Sequence, residues 1–136
     1  MKRVVILLAV AASVGTPREK PNPQVAALKG KTVFVKGNNE AAEKIRSLIR
    51  EDKKACFVLA LKEADANATL AVNDQSAIET GGLNTRNDRV TGTLTVKTGE
   101  LVWSATDHFS DAPLMSGVKT AAKLLYGRMQ RAADCR

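Results

Sequence analysis

The residues that could do chemistry in this sequence are few, and they gather around one point. His108 is the only histidine, and Asp107 and Asp111 lie close to it. A carboxylate can orient an imidazole as a general base or join it in a metal site. Because the three residues precede a predicted helix, we favour a role in the turn and in capping that helix. A small hydrolase or metal-dependent enzyme that uses Asp107, His108 and Asp111 is the alternative.

Motifs that mark other kinds of catalysis are missing from the sequence. It contains no Gly-x-Ser-x-Gly nucleophile motif. Gly81-Gly82 is not followed by the Lys-Ser/Thr pair of a phosphate-binding loop. We therefore predict a non-enzymatic protein with no catalytic, metal-binding or cofactor-binding residues and no cofactor.

The composition is that of an ordinary globular protein. The 136 residues are 44% hydrophobic and 26% charged, which excludes collagen, low-complexity disorder and a disulfide-dense scaffold. The length suits one domain. No apolar run reaches the roughly 18 residues that a bilayer crossing needs.

The charge balance is basic, with 21 Lys and Arg against 14 Asp and Glu and a formal net charge of +7. A basic charge balance makes nucleic acid a candidate partner. The basic residues are scattered, however, and no aromatic residues lie among them to stack on bases. We expect no nucleic acid, and a solvated helix face explains much of the charge. An anionic envelope polymer or the membrane surface is its expected target beyond that.

The N-terminal residues have the pattern of an export signal. Lys2 and Arg3 precede an apolar run over residues 4–14, and small residues follow that suit a peptidase. This order is typical of a secretory signal peptide, so we predict a cleaved signal over residues 1–15 and a periplasmic or secreted protein. No cysteine follows the apolar run, and we expect no lipid anchor. Three of the four prolines lie in residues 16–30, which predicts a flexible leader before a single domain over residues 31–136.

Hydrophobic periodicity indicates five strands and two helices in that domain. The strands are predicted at residues 32–37, 56–61, 68–72, 90–96 and 101–106. One helix follows a cap at Asn38 or Asn39, and the other starts near residues 110–113. Each helix has one apolar stripe. The predicted fold class is therefore α/β (α+β), a two-layer sandwich with a five-stranded mixed sheet, two helices on one face and the order β-α-β-β-β-β-α.

The last two strands form the clearest local signal. A two-residue turn at Thr98-Gly99 would pair Leu94 with Trp103 and Gly92 with Ala105 on one face. The same register sets Val96 opposite Leu101. Threonine and serine then fill the opposite face, as expected of a sheet surface in contact with water.

The two cysteines test the topology. Two cysteines in a small exported domain predict one disulfide bond, Cys56–Cys135. The bond is within reach if the third strand runs parallel to the first two, and out of reach if it forms a hairpin with the second. The link over residues 62–67 is short for a parallel crossover, but one helical turn over residues 62–66 would fit. We favour the parallel arrangement; two unpaired thiols are the alternative.

Two regions are candidates for partner binding. If Val33 and Val35 face the helices, Phe34 points out of the opposite sheet face, where an apolar patch would be an interaction surface. Residues 74–88 form a long polar connection, which is typical of a mobile or binding loop. From it we select Gly81, Gly82 and Arg86 as further candidates.

Two local motifs carry a family resemblance. Residues 64–70 read Ala-Asp-Ala-Asn-Ala-Thr-Leu at the entry to a strand, and residues 98–104 read Thr-Gly-Glu-Leu-Val-Trp-Ser at a hairpin. Both, together with Ala-Ala-Lys-Leu-Leu at residues 121–125, are similar to small bacterial envelope domains related to the TolB N-terminal domain and the CsgG and LpoB lipoproteins. The resemblance spans residues 31–131. It implies a two-layer α/β domain that acts through protein–protein contacts in the cell envelope, and it brings no catalytic residue.

Overall fold

The computed structural model of the protein describes residues 19–54, 56–78, 86–111 and 117–135. The predicted signal peptide, with Gly81, Gly82 and residues 112–116, lies outside these ranges. In chain order the elements are α1 (Pro23–Ala26), β1 (Thr32–Lys36), α2 (Glu40–Glu51), β2 (Val58–Leu59), β3 (Ala68–Ile78), β4 (Arg86–Val96), β5 (Leu101–Asp111) and α3 (Val118–Ala132). None of the helices within these ranges is long and apolar enough to cross a membrane.

The five strands form one mixed sheet in the order β2-β1-β3-β4-β5. β1 pairs in parallel with β2 and with β3, while β3, β4 and β5 are successively antiparallel. The predicted fold class and the parallel third strand are confirmed. A single 3-10 turn at Glu63–Asp65 makes the short link. It suffices because the edge strand β2 has only two residues, fewer than predicted.

Both long helices pack on one face of the sheet. Asn39 caps α2, its side-chain oxygen accepting the Ala42 amide hydrogen at 2.8 Å. The predicted apolar stripe of α2 is buried apart from the half-buried Leu48. α3 buries its own stripe against α2, β4 and β5. The core between the layers includes Val33, Ile45, Leu70, Leu94 and Leu125.

The hairpin turn is one residue longer than predicted. The Val96 amide donates to the Glu100 carbonyl at 2.9 Å, and Gly99 takes a positive φ of +96° in the loop. A β-bulge between Leu94 and Thr95 then restores the predicted register, with Leu94 opposite Trp103. Leu101 pairs with Thr95 instead of Val96 and is 55% exposed, whereas Val102 is buried.

The strands β3, β4 and β5 are longer than the sequence pattern indicated. β3 and β4 take up much of the predicted polar connection over residues 74–88, and β5 continues through Asp111. α3 begins only at Val118. The prediction failed because polar residues that are typical of loops, Asp74, Asp88 and Asp107, lie within these strands and accept hydrogen bonds from the helices or their caps.

Part of the predicted flexible leader is folded. Residues 23–26 form α1, and Val25 is fully buried. The Asn22 amide hydrogen bonds to the Ala132 carbonyl at 2.7 Å, and the Asn22 side chain donates to the Val102 carbonyl at 3.1 Å. The leader prediction is therefore wrong for residues 19–30, because this segment packs across the ends of β5 and α3.

Candidate functional site

The sheet face opposite α2 and α3, which we name the outer face, carries side chains that are exposed or half-buried. Its three central strands present threonines with amide and basic side chains, all exposed or half-buried. The pairing aligns Thr91 with Thr106, whose hydroxyl oxygens lie 3.0 Å apart. The next aligned pair, Arg89 and His108, lies two residues further along the strands.

Two of the predicted partner-binding residues, Phe34 and Arg86, lie far apart on the sheet. Phe34 is half-buried on the outer face, and its partner Thr69 pairs in turn with Thr95 on β4. Arg86 is the first residue of β4, nine residues from Thr95 and hence about 30 Å away along the strand. Gly81 and Gly82 lie outside the described residues.

Asp107 and His108 do not form a catalytic pair. Successive residues of a strand point to opposite faces, so Asp107 faces the helices while His108 is exposed on the outer face. Asp107 instead bonds Arg128 of α3 at 3.4 Å. The structure therefore does not bring Asp107 and His108 together as an enzyme built on Asp107, His108 and Asp111 would require, and the turn-and-cap interpretation is wrong, since all three lie within β5. Among the described residues, no group of three His, Cys, Asp or Glu side chains could hold a metal ion.

Two strand aspartates anchor the helices. Asp74 on β3 accepts the Ala41 amide hydrogen in the first turn of α2 at 3.2 Å. Asp88 on β4 is fully buried and accepts the amide hydrogen of Gly117, the N-cap of α3. A helix N-terminus carries unpaired amide hydrogens and partial positive charge, both of which a carboxylate satisfies. The sequence pattern does not reveal these two anchoring roles, because the partners are distant in the chain.

Replacing Asp88 with alanine should lower the free energy of unfolding by about 2 kcal/mol, because a buried amide hydrogen then loses its acceptor. Urea denaturation monitored by circular dichroism measures the loss. Asp65→Ala, at an exposed position in the 3-10 turn, removes the same charge and should cost less than about 0.5 kcal/mol. Equal losses in the two variants would contradict the anchoring role.

A polar cluster holds the N-terminal segment. Glu19 accepts hydrogen bonds from Trp103 Nε1 at 3.0 Å and from Arg128 Nε at 3.1 Å. Arg128 also pairs with Asp107 and donates to the Thr106 carbonyl at 3.1 Å. One guanidinium thus joins α3, the β5 edge and the segment before α1.

The disulfide bond joins Cys56 to Cys135, as predicted, with the Cα atoms 6.0 Å apart. Nearby, Asp52 accepts the Cys56 amide hydrogen at 3.2 Å and the Tyr126 hydroxyl at 3.3 Å. Burial of the Tyr126 phenol raises its pKa above the ordinary value, and the negative charge of Asp52 raises that pKa further. The disulfide bond therefore closes a hydrogen-bonded junction between the end of α2, the start of β2 and the end of α3.

No protein-family model matches this sequence, and no curated protein matches it. Among solved structures, the PelC dodecamer from Paraburkholderia phytofirmans is similar at a TM-score of 0.51 and 20% identity, over 76% of this chain and 88% of that one. Lipoprotein GNA1162 from Neisseria meningitidis aligns over 76% of this chain and 99% of its own, at a TM-score of 0.47 and 8% identity. A minor lipoprotein from Acinetobacter baumannii aligns over 79% of this chain and 84% of its own, at a TM-score of 0.41 and 15% identity. The relation to TolB, CsgG and LpoB in particular stays a prediction; what the PelC likeness shows is a shared fold.

Proposed function

We propose that this chain is an exported protein of the bacterial envelope that acts through protein–protein contacts and assembles with copies of itself. Two features support export. The first 15 residues have the order of a secretory signal, and a structural disulfide bond persists in an oxidising compartment such as the periplasm. Both cysteines of this sequence are in that bond, so neither is left to carry a lipid.

The observation that carries the self-assembly proposal is exposed apolar side chains at the two opposite edges of the sheet. Leu61, just after the edge strand β2, is 88% exposed, and Val58 within β2 is 44% exposed. At the far edge, Leu101 begins β5 and is 55% exposed. Contact between the β2 edge of one copy and the β5 edge of the next is a head-to-tail interface, which closes into a ring when its rotation permits.

The similar PelC structure is described as a dodecamer, so this fold is compatible with assembly into a large oligomer. Protein partners from the envelope would then meet repeated copies of the outer face. The positive charge of the chain suits an anionic polymer or membrane surface beside such an assembly. Phe34, Gly81, Gly82 and Arg86 stay candidates for partner contact.

Export is tested by expressing the full chain in a Gram-negative host and fractionating the cells. We expect a periplasmic product that has lost about 15 residues by mass, with both cysteines resistant to alkylation before reduction. Recovery of the intact chain in the cytosol with reactive thiols would contradict export.

Self-assembly is tested by light scattering after gel filtration. We expect an oligomer in the native protein, and at least about tenfold weaker association after Leu61→Asp or Leu101→Asp, because each places a charge in an apolar contact. Leu124→Asp is the matched control, since Leu124 is 47% exposed on the helix α3 and not on an edge strand. A monomeric native protein, or dissociation by Leu124→Asp alone, would contradict the edge-to-edge model.

A further inference from the structure

The outer face forms an open groove of about 480 Å³ over residues 73–75 of β3, 89–91 of β4 and 106–108 of β5. Two rows of side chains line it. Each row has one residue from each of the three strands: Gln75, Arg89 and His108 in the first, and Asn73, Thr91 and Thr106 in the second. We name these six residues the polar grid.

Every side chain in the polar grid can donate a hydrogen bond. Neighbouring strands lie about 4.8 Å apart, and residues two apart on a strand about 7 Å. The grid therefore measures roughly 10 by 7 Å, the size of a small polar molecule. Arg89 and His108 are directly opposed, so an acceptor placed between them meets the guanidinium and the imidazole together.

Two carboxylates of the same strands are turned to the other face. Asp88 and Asp107 bond the N-cap of α3 and Arg128, respectively. Asp74 lines one side of the groove, but its Oδ2 accepts the Ala41 amide hydrogen. Arg89 forms no ion pair with any described residue. Within the part of the chain that the structure describes, the polar grid thus carries a cation that has no ion-pair partner.

We infer that the polar grid binds an oxyanion, a phosphate monoester or a carboxylate, carried on a hydroxyl-bearing molecule. Arginine binds such groups through two parallel N–H bonds. His108 reaches the same group from the next strand. One hydroxyl of the Thr91–Thr106 pair donates to the other, and the second hydroxyl can donate to an oxygen of the bound group. The Asn73 and Gln75 side-chain amides are positioned to hydrogen bond with the hydroxyls of the molecule that carries the oxyanion. The inference does not depend on export or on self-assembly.

The test is a titration of the purified full chain with inorganic phosphate, followed by amide chemical shifts in two-dimensional NMR. Sodium acetate is titrated in a second arm, with the ionic strength held constant by chloride. We expect saturable shifts centred on residues 89–91 and 106–108 in at least one arm. Tighter binding in the phosphate arm assigns a phosphate ligand, and tighter binding in the acetate arm assigns a carboxylate.

Arg89→Gln should weaken that binding about tenfold, because the charged bidentate contact is lost. Arg50→Gln is the matched control: it makes the same charge change on the exposed side of α2 and should change the affinity less than about twofold. His108→Ala should weaken binding about threefold, with the amide spectrum otherwise unchanged. Equal weakening by Arg89→Gln and Arg50→Gln, shifts spread over all basic residues, or no saturation in either arm would overturn the inference.

Discussion

Replacing Cys56 and Cys135 together with serine should lower the free energy of unfolding by about 4–5 kcal/mol, the largest effect expected of any change considered for this protein. The bonded residues are 79 positions apart, so the bond removes much conformational freedom from the unfolded chain. In the chain-entropy model the stabilisation grows with the length of the closed loop. Urea denaturation of the double variant, beside the native protein with and without reductant, measures the loss.

The loss of stability after removal of the disulfide bond should differ between parts of the fold. β2 pairs only with β1, at two registered positions, with backbone bonds such as Val58 N–H to the Lys31 carbonyl at 2.9 Å. Without the bond to α3, this edge strand has the fewest contacts to hold it. Amide hydrogen exchange should therefore rise first in β2 and the last turn of α3, while the β3–β4 ladder stays protected.

Two outcomes would contradict this account of the disulfide bond. One is a double variant as stable as the native protein within about 1 kcal/mol, which would mean that the junction at Asp52 and Tyr126 holds the chain without the bond. The other is uniform loss of exchange protection. Chemical reduction of the native protein is the control, because it breaks the same bond without changing packing volume, and it should reproduce the double variant.

The sequence predicted the parts of the fold that depend on local hydrophobic spacing and on the distance that a segment of chain can span. The spacing of Ala41, Ile45 and Ile49 predicts the buried side of α2, and the alternation around Leu94 predicts the inner side of β4. The parallel third strand followed from the need of Cys135 to reach Cys56. These features depend on the residues themselves and on simple geometry, so they require no knowledge of distant partners.

The parts of the fold that the sequence pattern did not predict depend on contacts between residues far apart in the chain. Asp88 looked like a loop residue because its acceptor role requires the N-terminus of α3. The sequence suggested that Asn22 lies in a mobile leader, because its hydrogen-bond partner is 80 positions away. That partner is the Val102 carbonyl, which lies where the β-bulge interrupts the β4–β5 pairing. The alignment of Arg89 with His108 likewise needed the full length of β4 and β5, which the polar pattern concealed.

The second large effect is expected at Gly37, between β1 and the cap of α2. Its φ is +150°, and a Cβ atom there would lie 2.6 Å from the Val72 carbonyl oxygen and 3.2 Å from the Ala42 Cβ. The carbonyl belongs to β3, and the Asn39 side chain already donates to it at 2.9 Å. Backbone cannot move aside as a flexible side chain can. Gly37→Ala should therefore cost about 3 kcal/mol, from backbone strain and overpacking together.

Gly99→Ala is the matched control for this prediction. Gly99 also has a positive φ, +96°, but an added Cβ would meet nothing within 4 Å. It should cost only the conformational strain, about 1–2 kcal/mol. The excess at Gly37 measures how closely β1 and the cap of α2 approach β3. Because the same contact sets α2 over the sheet, Gly37→Ala should also raise amide exchange in the first turn of α2, and Gly99→Ala should not. Equal losses of stability would show that strain alone, without the contact to Val72, requires glycine at position 37.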